Sequence, residues 1–240
     1  MFNKGSIILL FILRFIRQFI SLSYNAKYLY TFGIMKITLE HVSKRFQRYW
    51  IFKDVNYTFA APGAYALLGP NGSGKSTLLR IIAGMQAPSL GKVFVHNADN
   101  SIIVATDIFS KISFCAPGQE LVEELTLREF FDFHFSFKPL LPDITIDKII
   151  ELTGLAHAAG KPIGDYSSGM KQRVKLAQAI FADTPILLLD EPCTNLDLQG
   201  IEQYKEWIAR YSEGRMVIVA SNDAREYFFC KEQIVIEDYM

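Results

Sequence analysis

Cysteine is scarce and scattered. The 240 residues hold three, Cys115, Cys193 and Cys230, with no spacing that suits a metal. That excludes a disulfide scaffold and a cysteine-built zinc site, and fits reduced thiols in a cytosolic protein. A clean membrane span is also missing. The best candidate, GSIILLFILRFIRQFISL at 5–22, is broken by Arg14 and Arg17, which leaves it too short and too charged. No small-x-small cleavage site follows it, which argues against a secretory signal. Acid is absent from the first 34 residues, which carry Lys4, Arg14, Arg17 and Lys27; the first acid is Glu40. Removing those four from 25 basic residues leaves 21 against 25 acidic ones in the remainder. A chain with that balance lacks the basic face of a nucleic-acid binder, so no nucleic-acid partner is expected. There is no long linker, internal repeat or low-complexity tract.

What is present begins at Met35. MKITLEHVSKRF opens as strand-like text, so Met35 is the expected natural start and 1–34 an upstream extension. A basic helix lying on a membrane surface is the alternative for that segment. From there, short β-branched runs alternate with helical text. YALL (65–68), KVFV (92–95), ISFC (112–115), ILLLD (186–190), MVIVAS (216–221) and QIVIED (233–238) are expected strands. The last three are nearly continuous apolar runs, as in strands covered on both faces. Helices between strands imply a largely parallel α/β sheet. Residues 120–165 break the rhythm. TLREFFDFHFSF opens on a capping box, Thr126 with Glu129, and IDKIIELTG ends on a glycine stop. This is expected to be a helical lobe inserted between two strands.

GPNGSGKST, Gly69 to Thr77, follows the strand YALL and precedes the helical TLLRIIAG. It matches G-x-x-x-x-G-K-[ST] in full, in the strand-turn-helix setting the motif needs. Gly69, Gly72 and Gly74 let the loop, with Pro70, Asn71 and Ser73 between them, fold tightly enough for its backbone N–H groups to face phosphate oxygens. The following helix adds the positive end of its dipole. Lys75 would reach the β- and γ-phosphates and Ser76 would ligate Mg²⁺. Asp190 and Glu191 end the apolar run ILLLDEP. A strand buried on both faces tolerates no charge before its tip, so both acids should enter the crevice at the carboxyl end of the sheet. Asp190 suits Mg²⁺, and Glu191 suits polarising a water.

These motifs, in this order, resemble the ATP-binding cassette family, the nucleotide-binding subunit of ABC transporters. The resemblance covers about residues 36–240. It implies an α/β P-loop NTPase core with a mainly parallel sheet, an N-terminal antiparallel β subdomain and an inserted helical subdomain at about 120–168. The domain would run from 35 to 240. TNLD (194–197) matches the loop that lies along the family's dimer interface. The aromatic that stacks on adenine would be Phe46, with Tyr49 and Trp50 as rivals. YSSGM, Tyr166 to Met170, corresponds to the family's signature. It keeps the hydroxyl at Ser167 and the bare backbone at Gly169, with Ser168 and Met170 differing from the commonest form. In the family this segment binds the γ-phosphate held by the opposite subunit, which implies a homodimer closing over two ATPs.

Two departures bear on rate. Gln119 in FCAPGQEL is one residue late against the aromatic-x-Pro-Gln pattern, with Gly118 in its slot. Either a bulge restores Gln119 to the Mg²⁺ and water, or the contact is missing; Gln119 is the preferred reading. Where the family carries a switch histidine, ASNDAREY places Asn222. An amide can bond the γ-phosphate but cannot relay a proton, so slower hydrolysis is expected. The resemblance implies an ATPase subunit, peripheral at the cytoplasmic face of the membrane, driving a separate permease that the Phe-rich 126–137 would touch. The end at Met240, just after the last strand, favours a short exporter-type cassette. The alternative is a soluble nucleotide switch with slow turnover and no permease.

Overall fold

The computed structural model describes residues 35–240. The two expectations for 1–34, upstream extension or membrane-surface helix, lie outside the described residues. Among those described, no helix is long and apolar enough to cross a membrane.

Two sheets organise the described residues. β1 (Lys36–Phe46), β2 (Tyr49–Ala60) and β4 (Leu90–His96) form an antiparallel sheet in the order β2-β1-β4. β3 (Gly63–Leu68), β5 (Ile112–Cys115), β6 (Ile186–Asp190), β7 (Met216–Ala220) and β8 (Glu232–Val235) form the second, in the order β5-β6-β7-β3-β8. Every pairing in the second sheet is parallel. Among the described residues the α-helices are α1 (Lys75–Ile82), α2 (Ile108–Lys111), α3 (Leu127–Phe137), α4 (Ile146–Thr153), α5 (Ser168–Ile180) and α6 (Leu198–Tyr211).

The parallel sheet divides two cores. Side chains alternate between faces along a strand. Leu187, Leu189, Val217 and Val219 join the core under α3 to α6. Ile186, Leu188, Met216 and Ile218 join the core shared with α1 and the antiparallel sheet. All five residues of β6 and all five of β7 are buried, which is why both read as unbroken apolar runs. β8 departs from that expectation. It is an edge strand, with Glu232 and Gln233 exposed, and the text after Val235 turns into a short 3₁₀ helix, Ile236–Tyr239.

Strand order places the site. β6, β7 and β3 are parallel neighbours, and Ala220 of β7 pairs with both Asp190 and Leu67. Their carboxyl ends are therefore level, and the segments after Leu68, Asp190 and Ala220 emerge side by side. Such a crevice is where open α/β sheets bind ligands.

Between β5 and β6 lies the helical insertion. α3 starts where its capping box is made: Thr126 N donates to Glu129 Oε2 at 2.9 Å, and the Thr126 hydroxyl accepts from Glu129 N. α4 is capped by Thr145 and stops at Gly154, whose φ of 69° is left-handed. Phe130 and Phe131 of α3 are buried, and Phe135 packs against the same core. Phe133 and Phe137 are exposed and stack edge-on at 5.2 Å between ring centres.

Candidate functional site

The loop from Gly69 to Thr77 wraps the N-terminus of α1. Gly74 has φ 103°, and a Cβ there would come within 2.4 Å of Ile51 Cγ2 on β2. Only glycine meets both demands. Lys75 is buried, and its Nζ donates to Gly69 O at 2.6 Å and Pro70 O at 3.1 Å. Burial lowers its pKa, and the carboxylates of Glu191 and Asp190 oppose that shift. Ser76 Oγ donates to Asp190 Oδ1 at 2.8 Å. Asp190 is only 3% exposed. Burial raises its pKa, and the Ser76 hydroxyl partly offsets this. Ser73 Oγ is buried in the same loop with no partner among the described residues.

Beside this loop is a cleft of about 280 Å³, lined by Phe46, Ile51, Asn71, Gly72, Gly74 to Thr77, and Glu191. Phe46 is half exposed. Its rivals do not line the cleft: Tyr49 is largely in solvent, and Trp50 carries Arg45 and Lys53 against its ring. Glu191 follows β6 at φ 42°, a left-handed conformation that costs a non-glycine residue about 1–3 kcal/mol. Its N–H donates to Ala220 O at 2.9 Å, and Thr194 Oγ1 donates to its Oε2 at 3.3 Å. Asn222, after β7, reaches the loop directly: its Nδ2 donates to Asn71 Oδ1 at 3.2 Å. Lys75, Ser76, Asp190, Glu191, Asn222 and Phe46 thus meet at one edge.

Gln119 does not line that cleft. It lines another, of about 430 Å³, with Pro117, Lys171 and Lys175. Its Oε1 is buried with no partner among the described residues. Lys175 Nζ bonds Pro117 O at 2.6 Å, which ties α5 to the segment carrying Gln119.

Ser167 and Gly169 line a third cleft, of about 380 Å³, together with Met170, Arg173 and Asn195 to Asp197. Ser167 is the N-cap of α5, its hydroxyl accepting from Met170 N at 3.3 Å. A Cβ on Gly169 would lie 2.9 Å from Asn195 O, so glycine here permits close backbone approach. Arg173 Nη2 donates to Asp197 Oδ1 at 3.0 Å. This cleft and the one at the phosphate loop share no lining residue.

Two buried polar residues near these segments were not evident from sequence. Gln172 on α5 is 2% exposed and Glu226 after β7 is 4% exposed. Their local text, MKQRVKL and DAREYF, looks like any solvated face.

A strand-end acidic pair, a complete phosphate loop and a capped signature-like helix occur here in one chain, and residues 52–194 match the family model described as ABC transporter. The chain belongs to the ABC transporter family. Among curated relatives it is 34% identical over 186 residues to the sulfate/thiosulfate import ATP-binding protein CysA of Shigella flexneri, a match covering 75% of this chain and 50% of that protein. The chain spans about half the length of such curated relatives. Among solved structures it resembles a dimeric ATP-binding cassette in a post-hydrolysis state bound to ADP and Pi, at TM-score 0.71 and 26% identity, covering 83% of this chain and 93% of that one. A bacterial Atm1-family ABC exporter with ATP bound shares the fold at TM-score 0.70 and 19% identity, covering 85% of this chain and 37% of that one. The ABC fold therefore accounts for the parallel core, the antiparallel sheet and the helical insertion together.

Proposed function

We propose that the chain is the ATP-binding and ATP-hydrolysing subunit of an ABC transporter, working as a homodimer against a separate membrane permease at the cytoplasmic face. The observation that carries this reading is the Ser76–Asp190 bond of 2.8 Å beside buried Lys75, a hard-oxygen pair next to a phosphate cradle. Lys75 already holds two carbonyl oxygens, Gly69 O and Pro70 O, the kind of acceptor it would exchange for β- and γ-phosphate oxygens. The unpartnered Ser73 hydroxyl and the loop's N–H groups suit the same anion. Phe46 would stack on the adenine.

The residues also fit Mg²⁺. Ser76 and Asp190 offer the oxygen donors this ion prefers, and Asp190, whose carboxyl pKa is pushed up by burial, gains a cation to face. When bound, Mg²⁺ neutralises charge on the β- and γ-oxygens. Glu191 would polarise the attacking water and Asn222 would bond the γ-phosphate. Gln119 would sense the Mg²⁺ and water only after moving from the cleft it lines. Ser167 and Gly169 of a second copy would close the site, since one chain keeps the two clefts apart. The exposed Phe133–Phe137 pair on α3 offers the apolar contact a permease would cover. The matched relatives include proteins named for import and for export, so direction and solute follow the permease.

Phosphate release from Mg-ATP by the full chain tests this reading, with Lys75→Ala expected to abolish it. Absence of turnover in the parent would overturn it. A second reading, a slow nucleotide switch without a permease, is favoured by Asn222 and by the placement of Gln119. ATP-dependent dimers that release no phosphate, and that capture no polytopic membrane protein from native membranes, would establish that instead.

A further inference from the structure

The peptide joining Pro192 to Cys193 is held at both ends by buried side chains from distant parts of the chain. Gln172 Nε2, on α5, donates to Pro192 O at 2.7 Å. Cys193 N donates to Glu226 Oε1 at 2.6 Å. Both side chains are almost wholly buried. The glutamate is itself anchored: Tyr204 OH, on α6, donates to Glu226 O at 2.6 Å. Its carboxylate is also hydrogen-bonded by the Ser221 hydroxyl, and Ser221 immediately precedes Asn222.

We propose that Gln172 and Glu226 are positioning residues, a two-ended clamp that aims Glu191 and ties it to both Ser167 and Asn222. The proposal rests on the hydrolytic reading of the site. A peptide unit is a rigid plane, so fixing its C=O and its N–H fixes its orientation. Pro192, at the start of that unit, has its φ locked by its ring. Little freedom is left for the residue before it. That residue is Glu191, whose left-handed φ of 42° persists only where the surroundings over-determine it. The clamp supplies that constraint. It also reaches outward: Gln172 lies one turn into the helix that Ser167 caps, and Glu226 closes the loop that carries Asn222. A shift at either flank would move the carboxylate that faces the water.

Buried polar groups usually have partners for structural reasons alone, so the test must separate aim from stability. In the full chain, Gln172→Leu keeps side-chain bulk and removes the bond to Pro192 O, and Glu226→Leu keeps bulk and removes the carboxylate that bonds Cys193 N and the Ser221 hydroxyl. Glu226→Gln keeps an acceptor for Cys193 N. Steady-state Mg-ATP hydrolysis and hydrogen exchange over 191–197 are measured for each single variant and for the Leu/Leu double variant. Each Leu variant is expected to lower kcat by about tenfold or more with KM nearly unchanged, because a small misplacement of a reacting group costs that much. Glu226→Gln should recover most of the rate. The double variant should be little worse than the poorer single, as for two ends of one device. Exchange should quicken within 191–197 and not across β6. An unchanged kcat, a loss confined to KM, or fully additive losses would overturn the clamp. If a Leu variant does not fold, the Glu226→Gln result and the other Leu variant decide. A parent that releases no phosphate sinks the hydrolytic reading instead; the clamp then stands or falls on exchange within 191–197.

Discussion

Asn222 is a primary amide, bonded to Asn71 across the phosphate loop, where a proton-relaying imidazole would suit the chemistry better. Replacing it with histidine adds a group that can take up and release a proton near neutral pH. Asn222→His is expected to raise turnover by about tenfold, less than the roughly hundredfold or more of a fully positioned acid-base group; a rate no higher than the parent's refutes this. A second residue, His134, tunes stability. It stacks on Phe130, its Nε2 has no partner among the described residues, and burial lowers its pKa from 6.5 to about 4. The unfolded chain binds that proton at higher pH than the folded one. Its contribution is therefore intact above pH 6.5 and is lost as pH falls towards 4, by at most about 3 kcal/mol. Urea midpoints at pH 7 and pH 5 should show His134→Phe losing less stability over that interval than the parent. Single residues were legible where spacing is diagnostic, as with Lys75, Ser76 and Asp190. Gln172 and Glu226 were not, because what marks them is a partner some 20 to 33 positions away, which no local pattern contains.

Among the elements, α5 binds the chemistry to the scaffold most directly. Ser167 both caps it and presents a hydroxyl to the third cleft. Ser167→Ala is expected to cost about 1 kcal/mol of stability by thermal denaturation, and to lower ATP turnover by more than that loss explains. Gly169→Ala forces a methyl to 2.9 Å from Asn195 O; a destabilisation of about 1–3 kcal/mol follows, and an unshifted melting temperature would refute the close approach. Strands β6 and β7 were legible from composition because both faces are covered. β8 looks similar in sequence yet is an edge, since an apolar run does not state how many neighbours it has. β2 was not singled out at all. Its buried Phe52, Val55 and Phe59 are spaced three and four apart, as on a helix, because bulges shift its register against β1. The capping box at Thr126 and the glycine stop at Gly154 were plain, since those signals are local.

For the whole molecule, the decisive experiment is association. Glu191→Gln removes the charge proposed to polarise the water while keeping the side chain's shape, so it should retain ATP and accumulate a dimer visible by gel filtration. A variant that stays monomeric with ATP would refute the shared site. The separation of the phosphate-loop cleft from the Ser167–Gly169 cleft has a kinetic corollary. On the proposed reading, a complete site forms only where two chains meet. While dimers are sparse, the rate must grow with the square of the chain concentration, so activity per milligram climbs on concentrating the protein and levels off once pairs prevail. Mixing in a chain crippled at Lys75 would then depress its partner as well as itself, and the curve of activity against mixing ratio would bend below a straight line.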